Sequence, residues 1–298
     1  MRHGGRSIAG YVFVAPATLY LIVFAFLPMG VAAWSSLHRH HLVRAEARYV
    51  GLGNYKELAA DPFFRNAAWN SLMFVGMAVP LGMILALVAA LLVNEKVRGA
   101  AWFRTIFFIP AVSSLVALSM VWTWVYLPDR GLINAGLKLL GFSGDTDFLR
   151  DTRWALPALV FMSAWIGLGP RMIIFLAGLQ GVPRSLHEAA ELDGCGAWGR
   201  FRNITWPTLL PTTFFVFVTS TIACFKLFTE VYVMTQGGPR RTTDVLAYHI
   251  FKTAWTEFEV GKACAQSYVL FGIILLAALA QFAWMRRQVR QAEEGAAG

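Results

Sequence analysis

Charge is scarce in this sequence. Only 14% of its 298 residues are Asp, Glu, Lys or Arg, while 57% are hydrophobic; a soluble domain carries about 25% charged residues. That scarcity excludes an ordinary water-soluble globule and points to a bilayer. Cysteine is nearly absent too: Cys195, Cys224 and Cys264 are odd in number and widely spaced, with no C-x-x-C pair. They read as small packing residues, not as a disulfide or metal framework. No G-x-x-x-x-G-K-[ST] phosphate loop occurs anywhere, so the chain has no P-loop of its own. No Ser/His/Asp or Cys/His set can be assembled at one membrane depth, so no catalytic residues are assigned. No internal repeat or low-complexity linker divides the chain, which weighs against a secondary transporter built from inverted halves.

Histidine is also sparse. His38, His40 and His41 share one loop without acidic or cysteine company and read as solvated. His187-Glu188-Ala189-Ala190-Glu191 approaches the zinc motif H-E-x-x-H but ends in glutamate, leaving the metal face incomplete. No metal site is expected.

What the chain has is long apolar runs. A hydrocarbon core about 30 Å thick needs roughly 20 apolar residues per helix. Six segments meet that length: about Gly10–Trp34, Asn70–Val93, Thr105–Tyr126, Ala155–Ala177, Thr208–Phe228 and Gln266–Met285. The fold class expected is therefore all-α, a polytopic membrane protein with six transmembrane helices. The first run is longer than a signal-peptide core and contains Pro16 and Pro28, so it reads as a retained helix. Net charge is +9, but no basic stripe alternates with exposed aromatics, and nucleic acid is not an expected partner. The basic residues instead sit at span ends, as headgroup and topology anchors. Lys96, Arg98 and Arg104 crowd one short turn, and Arg286, Arg287 and Arg290 crowd the tail. That density in short segments places both termini in the cytoplasm.

The same orientation puts one polar segment, HEAAELDGCGAWGRFRNITWP (His187 to Pro207), in the cytoplasm. Ser185 and Glu188 have capping-box spacing, and Gly194 follows Asp193 where a helix would end in a left-handed residue. The spacing predicts a helix of about eight residues from Leu186 to Asp193, roughly 12 Å long. Leu186, Ala189 and Ala190 fall on one face, and small residues permit close approach to a neighbour. So short a helix is marginal alone and must lean on its own protein or on another. Beyond it, Ala197 to Asn203 reads as an amphipathic run, with Trp198 and Phe201 three apart.

These residues carry a family resemblance. Glu188-Ala189-Ala190, Gly194, Ile204 and Pro207 fall at the spacings of the cytoplasmic motif of binding-protein-dependent ABC importer permeases, with Trp206 where leucine is usual. Asp193-Gly194, the Gln236-Gly237-Gly238-Pro239 loop, and Phe251 with Gly261 agree. The chain resembles the sugar-class permeases of the maltose or glycerol-phosphate uptake type along nearly its whole length. The resemblance implies a type I ABC importer fold. It also implies a division into residues 1–65 (first helix and first extracytoplasmic loop), 66–286 (a five-helix permease core with a coupling helix at 186–194) and 287–298 (a tail). The partners it implies are two ATPase subunits carrying ATP and Mg, a homologous second permease and an extracytoplasmic solute-binding protein. This chain itself would bind no cofactor. Localisation would be the prokaryotic inner membrane, and the cargo a sugar or sugar-like solute. A non-sugar solute such as a polyamine is the alternative, and a secondary transporter a more distant one. Glu188, Ala189, Ala190, Asp193 and Gly194 would seat the helix in the ATPase, although Glu188 also fits a purely local role in the capping box.

Ionisable residues inside spans face pores or partners by default. Arg171 follows Gly167-Leu168-Gly169-Pro170, a stretch expected to break the fourth helix. Lys226 and Glu230 stand four apart on the fifth helix, so they can share a face near its outer end. For these three, a place on the substrate path competes with local roles: an ion pair or snorkelling for Lys226 and Glu230, and contact with helix-end carbonyls or a partner permease for Arg171.

Overall fold

The computed structural model describes residues 4–41, 47–94, 99–142 and 145–297. Lys96 and Arg98 therefore lie outside the described residues. The chain is helical almost throughout. In order, the elements are α1 (Gly4–Leu21), α2 (Leu27–Ser36), β1 (His38–His40), β2 (Ala47–Tyr49), α3 (Gly53–Ala60), α4 (Pro62–Asn94), α5 (Ala100–Val112) and α6 (Leu115–Val125). Then come α7 (Leu132–Leu139), α8 (Ala155–Ile166), α9 (Leu168–Gln180), α10 (Arg184–Leu192), α11 (Ala197–Arg200), α12 (Trp206–Phe225), α13 (Leu246–Trp255) and α14 (Val260–Ala297). Contacts divide the chain into two compact units, one of residues 1–65 and 249–271, the other of residues 66–248 and 272–298.

Among the described residues four helices are long and apolar enough to cross a membrane, Gly10–Ser36, Pro62–Asn94, Ala197–Phe225 and Val260–Arg287. The count reaches six when two bent pairs are each taken as one span. The all-α polytopic fold is thus as expected, but two of the six spans are not continuous. The fourth bends by 49° between Ala155–Ile166 and Leu168–Gln180, at the glycine–proline stretch where a break was expected. The third bends by 103° between Ala101–Val112 and Leu115–Val125, which the hydropathy run did not reveal. Its cause is local. Pro110 sits in the last turn of α5, and Ser113 and Ser114 are both extended. The Ser113 hydroxyl donates back to the Ile109 carbonyl at 2.9 Å, competing with the backbone ladder as serine does.

In the first unit, β1 and β2 pair antiparallel, with His38 opposite Tyr49. Asn54 Nδ2 donates to the carbonyls of Ser36 at 2.7 Å and His38 at 3.0 Å, fastening α3 under the hairpin. Gly261 packs so closely on the His38 carbonyl that a side chain there would collide with it. His38 stacks on Trp34 with ring centroids 3.9 Å apart. Among the described residues no three His, Cys, Asp or Glu side chains converge as a metal site. The most apolar window of the first span has none of its residues buried, so its surface is left to lipid or to another chain.

The second unit holds the larger core. Phe74, Leu159 and Val231 centre one cluster; Met172, Phe175, Leu209 and Val216 another; Trp122, Tyr126, Phe148 and Met162 a third. Lipid offers helices no net hydrophobic gain on association, so close packing and hydrogen bonds decide which faces meet. Gly169 brings α9 onto the backbone of α5 at Phe107 and Phe108, and Gly178 brings it onto Thr212 and Leu209 of α12. Asn70 Nδ2 on α4 donates to the carbonyls of Arg241 at 2.7 Å and Asp244 at 3.0 Å, and Ser71 Oγ accepts from the Leu246 amide at 2.8 Å. The Gln236–Pro239 loop leads into this fastened segment, with left-handed backbone at Gln236 and Gly237.

Asp61 caps α4. Its Oδ1 accepts from the amides of Phe63 at 2.9 Å and Phe64 at 3.4 Å, and Lys262 Nζ lies 3.3 Å from Oδ2. Burial pushes this carboxyl up, but the two amides and the ammonium outweigh it and hold it below the ordinary carboxylate value. A lowered folded value means the stabilisation is present above that ordinary value and is lost as pH falls through the lowered one. Replacing Asp61 by alanine should cost about 1 kcal/mol of stability at neutral pH. Denaturation in detergent, followed from neutral pH down through the carboxylate range, checks this: wild type should lose that margin on the acid side, and the variant should have none to lose.

Candidate functional site

The polar segment of the second unit begins where α9 ends at Gln180. Pro183 is extended, with φ −61° and ψ 129°, and turns the chain into α10. Here the structure corrects the sequence reading. The helix runs Arg184–Leu192, with Pro183 as its N-cap and no side-chain cap hydrogen bond. Ser185 lies inside the first turn, so the capping box is not formed. Proline explains the shift: its fixed φ, with an extended ψ, sets up helix entry at the next residue, two residues before the expected start. Glu188 is thereby released from backbone duty. It is exposed and has no hydrogen bond or ion pair among the described residues.

The C-terminal end matches expectation. Gly194 has φ +74°. Its amide donates to the Glu191 carbonyl at 3.0 Å, and the Cys195 amide to the Ala190 carbonyl at 2.9 Å. Those two bonds make a Schellman ending, which needs a residue free to adopt left-handed backbone. Asp193, the C-cap, is exposed. Leu192 is 90% exposed and Leu186 47%, with Ala189 also exposed and Ala190 half-buried. Over Leu186–Leu192, α10 therefore presents apolar and small side chains to the outside beside a carboxylate with no ion-pair partner among the described residues. Such a face marks an interaction surface more readily than a solvated helix.

The segment after α10 is not a separate surface helix. α11, a π-helical turn at Phe201–Thr205 and α12 run on as one stretch from Ala197 to Phe225. Pro207 does not interrupt it, because it falls in the first turn of α12 directly after the wider π turn. Arg200, at the start of this stretch, pairs with Glu191 and ties it to α10. Trp198 stacks on Phe201 with centroids 5.7 Å apart, and Arg202 is exposed. An aromatic and basic entry of this kind suits a membrane interface.

The three intramembrane ionisable residues do not form one group. Lys226 and Glu230 share no helix face: α12 ends at Phe225, Lys226 is its exposed C-cap, and helical backbone resumes only at Thr229. No ion pair joins them among the described residues, and Glu230 is 7% exposed. The sequence suggested continuous helix because Lys226–Phe228 contains neither glycine nor proline. Among the described residues Arg171, in the first turn of α9, meets neither helix-end carbonyls nor a carboxylate. Its Nε donates to Ser220 Oγ on α12 at 2.9 Å, and its buried Nη1 has no hydrogen-bond partner among the described residues. Gly82 of α4 and Gly167 at the bend face the guanidinium with no side chain between. Neither Ser220 nor Gly82 stood out in the sequence, since a serine and a glycine in apolar runs carry no pattern of their own.

Elsewhere in this unit, a cleft of about 520 Å³ is lined by Tyr126, Asp129, Asp147, Arg150, Thr235 and Pro239 among others. Its size lies within the range of small-molecule sites, and its lining offers both donors and acceptors. A second crevice, also about 520 Å³, lies between α4, α9, α12 and α14 and is almost wholly apolar, with Trp206 and Trp284 in its wall.

Comparison with known proteins agrees with this architecture. Residues 78–292 match the family model described as binding-protein-dependent transport system inner membrane component. The sn-glycerol-3-phosphate transport system permease protein UgpA of Escherichia coli (strain UTI89 / UPEC) is 31% identical over 281 residues, covering 94% of this chain and 95% of the relative. Its counterpart in Agrobacterium fabrum is 30% identical over 285 residues, covering 95% and 97%. In shape, the chain matches one in the crystal structure of a bacterial alginate ABC transporter in complex with an alginate pentasaccharide-bound periplasmic protein. The TM-score is 0.82, at 22% identity and 95% coverage of both chains. The match is weaker for an amino acid ABC transporter, with a TM-score of 0.52 and 16% identity over 78% of this chain. With its matched core, its broken spans and its exposed α10, the chain belongs to the family of inner-membrane components of binding-protein-dependent transport systems, as a multi-pass ABC importer permease.

Proposed function

We propose that the chain forms, with a second homologous permease, the membrane path for a sugar or sugar-like solute of the glycerol-phosphate kind. Two separate ATPase subunits would drive it, holding the ATP and Mg, and an extracytoplasmic binding protein would deliver the solute. Both termini would be cytoplasmic, residues 66–286 the permease core and 287–298 its tail. The observation that carries the motor contact is α10: a helix with a fastened C-terminus, exposed leucines and an exposed Glu188. Glu188 would meet a basic or polar group on the ATPase, Ala189 and Ala190 would let the helix seat closely, and Asp193-Gly194 would turn the chain away from the contact. The solute class rests on whole-length similarity to the glycerol-phosphate permeases, and the polar cleft at Asp129, Asp147 and Arg150 suits a polyol.

Reversing the charge at the contact, Glu188→Lys, should leave assembly partly intact. It should cut transport-linked ATP hydrolysis by about tenfold, the equivalent of roughly 1.4 kcal/mol at the interface. Hydrolysis and uptake at wild-type levels in that variant would remove α10 from the contact.

For the solute, Lys226 and Glu230 are assigned to the outward part of the path. Lys226→Ala and Glu230→Ala should each lower uptake several-fold, on the order of 1 kcal/mol of lost interaction, while loaded binding protein still stimulates ATP hydrolysis. Unchanged uptake in both would take them off the path. Uptake of a polyamine in place of glycerol phosphate or sugars would replace the solute class without touching the motor.

A further inference from the structure

We propose that Arg171 is a positioning residue that locks α9 and α12 into a single lever carrying α10. The inference rests on α10 being the motor contact, and it assigns the means by which movement there reaches the middle of the membrane.

The two helices are the arms on which α10 hangs. Three residues lie between the end of α9 and α10, and four between α10 and the stretch that becomes α12, which begins at Ala197. Two fastenings hold the arms together. Near the α10 end, Gly178 lets α9 lie against Thr212 and Leu209. Deeper in, Arg171 Nε donates to Ser220 Oγ at 2.9 Å. Their spacing matches on both arms: seven residues separate 171 from 178 on α9, and eight separate 212 from 220 on α12. At 1.5 Å per residue these are about 10.5 Å and about 12 Å, as an antiparallel pair in register requires. Beyond Arg171 the arm ends at the 49° bend. Any displacement of α10 therefore reaches the bend with both arms moving together, so long as the inner fastening holds.

The pocket around the guanidinium is built for it. A Cβ on Gly82 would stand 3.1 Å from the guanidinium carbon and one on Gly167 only 2.7 Å, each nearer still to Nη1. Glycine at both positions leaves the slot open, one from α4 and one from the bend itself. Arg171 thus joins three parts of the unit, and its hydrogen bond goes to α12.

The test uses the complete transporter in proteoliposomes, with ATPase subunits, partner permease and binding protein. The readout is solute imported per ATP hydrolysed, measured beside the KM for solute. Arg171→Gln and Ser220→Ala should keep hydrolysis stimulated by loaded binding protein but lower import per ATP by about tenfold, within the usual range of inter-site coupling. Arg171→Lys, which keeps a donor and the charge, should recover part of the loss. Gly82→Ala narrows the slot without changing any charge and should lower import per ATP in the same way, even if Arg171→Gln fails to assemble. Import per ATP unchanged in Ser220→Ala and Gly82→Ala would overturn the lever. A defect in Arg171→Gln confined to the KM would overturn it too, and would make Arg171 a solute contact instead. Failure of the motor contact itself shows separately, as wild-type ATP hydrolysis in Glu188→Lys.

Discussion

An unpaired polar group in hydrocarbon costs several kcal/mol, and the rest of this structure depends on how the chain meets that cost. Regular helix satisfies the backbone, so the apolar runs are helical by necessity. Wherever the helix stops within a span, side chains or turns take over its hydrogen bonds. Ser113 answers the break between α5 and α6; between spans, Asn70 and Ser71 answer for the irregular segment at 241–246. Much of the polar chemistry lies at span ends, at breaks and on α10, and within the spans Gln281 Nε2 donates to Thr221 Oγ1 at 2.8 Å. A permease needs movement and polar passage, and the breaks are where both can occur.

Sequence reading succeeded where the signal is local. The end of α10 was legible because Asp193-Gly194 is a stop signal that no distant contact has to support, and Gly194 adopts the left-handed backbone it implies. The bend at Gly167 was legible for the same reason. The start of α10 was misplaced because Ser185 and Glu188 imitate a capping box while Pro183, immediately upstream, decides where the helix begins. The third span read as continuous because its apolar run is unbroken in hydropathy and only Pro110 and two consecutive serines mark the turn. The family motif was legible in full, since it depends on spacing and not on three-dimensional partners.

Pairwise relations across helices were not legible. The i, i+4 rule for Lys226 and Glu230 presupposed a helix that ends before Glu230. The real partner of Arg171, Ser220, is 49 residues away, and the room for its guanidinium comes from glycines on α4 and at the bend. Glycine in an apolar span has no sequence signature that separates a packing contact from a slot for a side chain. Only the fold distinguishes Gly178, which lets two helices touch, from Gly82, which leaves space for a charge.

The central claim is that this chain moves solute only when a separate motor acts on α10. The most direct measurement is accumulation of radiolabelled glycerol phosphate or sugar in proteoliposomes. The permease pair and the loaded binding protein would be present throughout, with the ATPase subunits either included or left out. The account predicts ATP-dependent accumulation with the ATPase and none without it, whatever ion gradient is imposed. Accumulation driven by an ion gradient in the absence of the ATPase would contradict it.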